Sequence, residues 1–111
     1  VQESKDIEAA VAKVPTPCYV KPALGHQWRR VKNTKLERAD TAAELRRILD
    51  DFLALGLIAI PQEIIQGKDS DVYSLSAYID RSGDCRGYRT KRKLRQLPLD
   101  AGNGSAQEIC S

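Results

Sequence analysis

Residues 41–56, TAAELRRILDDFLALG, constrain the fold more than any other stretch, because the hydrophobic period changes where they end. Leu45, Ile48, Leu49, Phe52 and Leu53 recur at helical spacing and make one apolar stripe. Thr41 and Glu44 have the spacing of a capping box: the hydroxyl reaches the Glu44 amide and the carboxylate reaches back. Gly56 supplies the stop. Arg46 with Asp50 and Arg47 with Asp51 stand at i,i+4 on the outer face, a solvated arrangement. Together these features predict one long amphipathic helix over about 41–55.

Beyond Gly56 the pattern turns to strands. LIAIPQEII (57–65) is β-branched and apolar, and QGKDSD (66–71) is turn chemistry. In 72–80 Tyr73, Leu75, Ala77 and Ile79 alternate with Ser74, Ser76, Tyr78 and Asp80, which predicts a strand. The basic run 85–95 returns as a third. Upstream, Ser4, Asp6 and Glu8 precede or open a short apolar stripe of Ile7, Ala10, Val11 and Val14, a short N-terminal helix. Residues 15–33 hold three of the five prolines and admit a strand or short helix near 27–32. The expected fold is therefore α+β. A single compact domain spans 1–111, with the 41–55 helix packed on a three-stranded antiparallel meander (about 57–65, 72–80 and 85–95). A mobile tail follows from about 99.

The last hairpin has a definable register. Arg81-Ser82-Gly83-Asp84 provides a four-residue loop in which Gly83 can take a positive φ. Asp80 then faces Cys85, Ala77 faces Tyr88, Leu75 faces Thr90, and Tyr73 faces Arg92. Tyr73, Leu75, Ala77, Ile79, Tyr88 and Leu94 share the face expected to cover the helix. Ser74, Ser76 and Tyr78 share the other with Arg89, Lys91, Lys93 and Arg95. A one-residue slip would turn cations toward the core, at a cost of several kcal/mol per unpaired ion.

Charge sharpens this feature. Of 18 basic residues six lie between Arg86 and Arg95, so the rest of the chain carries 12 against 15 acids, a net of −3. Alternation sets the four outer cations about 7 Å apart along one strand, near the spacing of phosphates along a nucleic-acid strand. Cations there gain affinity by releasing counterions. Ser74, Ser76 and Tyr78 add hydrogen bonds to phosphate or a stacking surface. The plainer alternative is that a charged edge strand resists edge-to-edge aggregation.

The expected function is non-enzymatic binding of an anionic partner by this outer face, with nucleic acid ahead of an acidic protein. A second class is a secreted or periplasmic protein-interaction module (inhibitor, toxin component or immunity-type partner) held by one disulfide. A third is a small metal-free nuclease combining His26, Glu63 and arginines of the basic strand. The residues spell no cofactor motif and no catalytic set, and the three cysteines with one histidine lack metal-ligand spacing.

Cys18, Cys85 and Cys110 are an odd number. In an oxidising compartment they imply one bridge and a free thiol, with Cys85–Cys110 expected because the tail can reach back; in the cytosol they imply three thiols. The chain starts at Val1 and contains no Met, as after removal of either an initiator Met or a signal peptide. Both compartments are therefore open. No stretch approaches the ~20 apolar residues of a membrane span.

ELRRILDDFLALGLI and VYSLS (within 41–76) resemble the end of a winged helix, where a helix closing on Gly-Leu-Ile runs into an antiparallel wing. The resemblance implies a helix in the major groove. The chain departs from it at Asp50 and Asp51 on that helix and at the non-basic tip Gln66–Asp71.

Overall fold

The computed structural model describes residues 1–32, 34–97 and 103–110. It is mixed α+β, and the chain divides into two compact units, Val1–Ile65 and Gln66–Ser111, each with its own three-stranded antiparallel sheet.

The first unit runs from a 3-10 turn at Ser4–Asp6 into α1 (Ile7–Lys13), β1 (Cys18–Pro22), α2 (Gly25–Val31), β2 (Glu37–Ala39), α3 (Ala42–Ala54) and β3 (Ala59–Glu63). Its sheet has the order β2-β1-β3. The stripe on α3 is as the spacing predicts: Leu45, Ile48, Leu49 and Phe52 are buried, and the helix packs on all three strands. Cys18 and Val20 of β1, Ala39, Leu57, Ala59 and Ile7 complete the core. From α2, Trp28 stacks on Phe52 with ring centroids 4.1 Å apart.

Local chemistry explains both ends of α3. Thr41 Oγ1 accepts the Glu44 amide at 3.2 Å, while the Glu44 carboxylate accepts the Asp40 amide at 2.8 Å, one residue before the expected partner. At the other end Gly56 takes φ +70°. Its amide donates to Leu53 and that of Leu57 to Phe52, at 2.9 and 3.0 Å. This is a Schellman motif, and it swings Leu57 back under Phe52's turn into the core. Arg47 pairs with Asp51 as spacing suggests, but Arg46 turns to α1 and grips Glu8 through two bonds of 2.7 and 2.9 Å.

The proline-rich stretch can supply a strand because its prolines sit where strands tolerate them. Ala23 donates to Ile58, so the neighbouring pairs Pro22–Ala59 and Val20–Pro61 fall between ladder bonds. The proline nitrogens thus face away from the β1–β3 ladder. β2 reaches only Val20, and β3 is an edge, so neither ring removes a needed donor.

The second unit holds a 3-10 turn (Asp69–Asp71), β4 (Tyr73–Ile79), β5 (Cys85–Leu97) and β6 (Asn103–Cys110), in the order β4-β5-β6. An antiparallel meander exists, but not the expected one. β3 pairs with β1 instead of β4, and β6 supplies the third strand. β1 competes successfully for β3 because its buried face of Cys18, Val20 and Pro22 lets one sheet cover the α3 stripe. The winged-helix likeness ends here too, since its two wing strands belong to different sheets. Of the tail expected from about 99, residues 99–102 and 111 lie outside the described residues, and 103–110 form β6.

Candidate functional site

The hairpin carrying the basic run is set by its turn. Gly83, at φ +87°, donates to the Asp80 carbonyl at 3.0 Å, and the Asp80 amide donates to the Asp84 carbonyl at 2.9 Å. The loop is therefore three residues, Arg81-Ser82-Gly83, in place of the expected four. A bulge follows: Ile79 faces Cys85, while Tyr78 already faces Gly87. The extra residue, Arg86, restores the predicted register, so Ala77 faces Tyr88, Leu75 faces Thr90 and Tyr73 faces Arg92.

Directly opposed residues share a face. Ser76 thus stands beside Arg89, Ser74 beside Lys91, and Tyr78 beside Gly87. β6 extends this row with Ile109 beside Lys91 and Gln107 beside Lys93. Ser74, Ser76, Tyr78 and Arg89 are exposed, Lys91 and Lys93 half-buried. Arg95 departs from the row. A second irregularity after Lys93 sets it opposite Ala106, which alternates with Gln107 and Ile109 and lies on the other side of β6.

Pairing edits the charge further. Arg86 is held by Asp80 at 2.5 Å and Arg92 by Glu108, so these two cations are already neutralised. Arg89 and Lys91 have no acidic partner among the described residues. Beside them lies a shallow open depression of about 400 Å³, lined by Ser76, Tyr78, Gly87 and Arg89 together with Ala77, Arg86 and Tyr88. Gly87 leaves its floor open: a Cβ there would meet no atom within 4 Å, and Tyr78 stands 68% exposed across from it. Sequence reasoning passed over Gly87, although a lone glycine within a strand pattern signals a bulge or a close approach. Gln107 had no comparable signal, because 103–110 shows no clean alternation.

The other candidates are dispersed. His26 is exposed on the first turn of α2, beyond the Pro22 end of β1, whereas Glu63 faces Cys18 at the opposite end. The two nuclease candidates of the first unit thus stand about 13 Å apart by strand rise alone. Cys18 is buried in the core, where desolvation, then the Asp40 charge, pushes its thiol up, the reverse of an activated nucleophile. All three cysteines are free, and the expected Cys85–Cys110 partners are kept apart by β6. Cys110 faces Thr90, about 15 Å along β5 from Cys85. Among the described residues no group of three metal-ligating side chains is placed to hold an ion, and no helix is long and apolar enough to cross a membrane.

No protein-family model, curated protein or solved structure matches this chain.

Proposed function

We propose that the protein is a non-enzymatic binding module. In this reading the β4–β5 face formed by Ser74, Ser76, Tyr78, Arg89, Lys91 and Lys93 takes an anionic partner, nucleic acid first. The observation that carries it is the place of Lys91 and Lys93. β5 is bonded on both sides at each, at Lys91 by β4 and β6 and at Lys93 by the Val72 carbonyl and β6, so guarding an open edge is not their reason. Each outer cation from Arg89 to Lys91 has a hydroxyl beside it, a pairing suited to phosphate oxygens. Tyr78, bare above the Gly87 depression, offers a base a stacking surface.

A salt titration of binding to a mixed-sequence single-stranded oligonucleotide tests this. Replacing Arg89, Lys91 and Lys93 by Gln should weaken binding uniformly across sequences and lower the salt slope by ~0.7 per lost phosphate contact. Arg95→Gln, off the row, should change the slope less. No wild-type binding at ~50 mM salt, where cations are little screened, would remove nucleic acid and leave an acidic protein surface as the partner.

A further inference from the structure

The second unit has another face, and the proposed anion site does not use it. Tyr73, Leu75, Ala77 and Ile79 of β4 share it with Tyr88, Thr90 and Arg92 of β5. The four large apolar members, Tyr73, Leu75, Ile79 and Tyr88, are between 52% and 74% exposed. None of the residues from 66 to 110 whose exposure is described is buried. A three-stranded sheet in water gains its stability by covering an apolar face, and nothing within the second unit covers this one.

From this face we infer that the protein self-associates as a twofold dimer, sheet against sheet. Area is the first reason. The four side chains bare roughly 500 Å² per copy, taking ~200 Å² for each when fully exposed. Two copies would cover roughly 1,000 Å², about what a specific interface must clear, before Ala77, Thr90 and Arg92 are added. Charge is the second reason. Arg92 is paired with Glu108 on this side, so the middle of the face is neutral, and Arg95, opposite Ala106 on the same side, stands about 17 Å along β5 from Thr90. The face therefore meets its own copy with little repulsion, whereas the Arg89–Lys91 face would repel itself. Shape is the third. A twofold axis across the strands at Leu75 and Thr90 sets β4 antiparallel on β4 and β5 on β5. It places Tyr73 over Ala77, large on small, and Leu75 over Leu75. On β5 it brings Tyr88 over Arg92, whose Nε is buried with no partner among the described residues. A guanidinium stacks well on a tyrosine ring. The interface is isologous, as closed dimers require, and it turns the two cationic faces outward on opposite sides.

The dimer stands independently of what the cationic face binds, and sedimentation equilibrium of the free protein tests it. At about 50 µM, above the micromolar constants that interfaces of this size reach, the wild type should show twice the chain mass of 12.3 kDa. Leu75→Glu should show the single mass with an unchanged circular dichroism spectrum, since Leu75 is 65% exposed in the single chain. Arg89→Gln should remain dimeric even as it loses oligonucleotide binding. A Leu75→Cys variant, with Cys85 and Cys110 replaced by Ser, should crosslink to itself through residue 75 with a short bismaleimide, which adds to both thiols without an oxidant and spans the ~10 Å between packed sheets, whatever Leu75→Glu does to folding. A monomeric wild type, a dimer that survives Leu75→Glu, or no crosslink through residue 75 overturns the inference and gives this face to a different occupant.

Discussion

Asp80 Oδ2 accepts the Arg86 Nε at 2.5 Å across the mouth of the β4–β5 turn, while its Oδ1 accepts the amides of Ser82 and Asp84 at 2.9 and 3.0 Å. One carboxylate therefore closes the loop and neutralises the first cation of the basic run. These bonds, from the Asp84 amide first and Arg86 next, hold the Asp80 carboxyl below its ordinary value. A depressed carboxylate stabilises the fold above the unfolded pKa of about 3.9, and that contribution is lost as pH falls through the lower folded value. The turn should thus be intact from neutral pH down to the ordinary carboxylate range and loosen only below it. NMR titration of the Asp80 carboxyl should give a midpoint under ~3.9. A midpoint at or above that value contradicts the turn geometry.

The core of the first unit is anchored by Phe52, fully buried and stacked on Trp28. Phe52→Ala should cost ~3–5 kcal/mol, combining lost transfer energy with the cavity left beneath the indole. Arg47→Ala removes only an exposed i,i+4 pair and should cost under ~0.5 kcal/mol. Chemical denaturation of both variants measures the contrast, and equal losses would mean the buried face of α3 is misassigned.

Gly87 separates stacking from charge. Its backbone is ordinary, with no positive φ, and its surroundings are open, so Gly87→Val should fold and intrude on the depression beside Tyr78. Single-strand affinity should fall while the salt slope stays that of the wild type, because no cation is touched. Tyr78→Ala should cost ~1–3 kcal/mol on single strands and less on duplex. A salt slope that falls with Gly87→Val would mean that the side chain displaces phosphate contacts instead.

The thiols should react in the order of their exposure. Cys85 is exposed beside the turn, Cys110 is half-buried at the end of β6, and Cys18 is buried with its thiol pushed up. Under native conditions an alkylating reagent should label Cys85 first, Cys110 next, and Cys18 only on unfolding. Peptide mapping by mass spectrometry reads the order. Early labelling of Cys18 would contradict the first unit's core.

The α3 stripe, its hydroxyl cap, its Gly56 stop and the pairing of 73–78 with 87–92 were all legible in the residue order. Each depends on groups within a few positions of one another: helical or twofold spacing, a side chain reaching a nearby amide, a glycine free to take positive φ. The outer row was legible on the same grounds from Ser74 to Lys93. Its failure at Arg95 has a local cause with a distant origin, because the irregularity after Lys93 exists only against β6. Even where the register was right, the reason differed. The bare opposite face shows that no core selects it, and the Asp80 turn with its Arg86 bulge does.

What only the tertiary structure decided is the choice of partners. Whether 59–63 pairs forward with β4 or back with β1 is a competition between surfaces far apart in the chain, and period-2 alternation is identical for either outcome. β1 prevails because its buried residues and those of β3 close one sheet over α3, Trp28 and Phe52. That choice frees β4 and β5 to take β6, converts Lys91 and Lys93 from edge to interior positions, and leaves Tyr73, Leu75 and Tyr88 without a core. Spacing along the chain determined which residues share a face. The long-range contest for apolar area determined what each face meets.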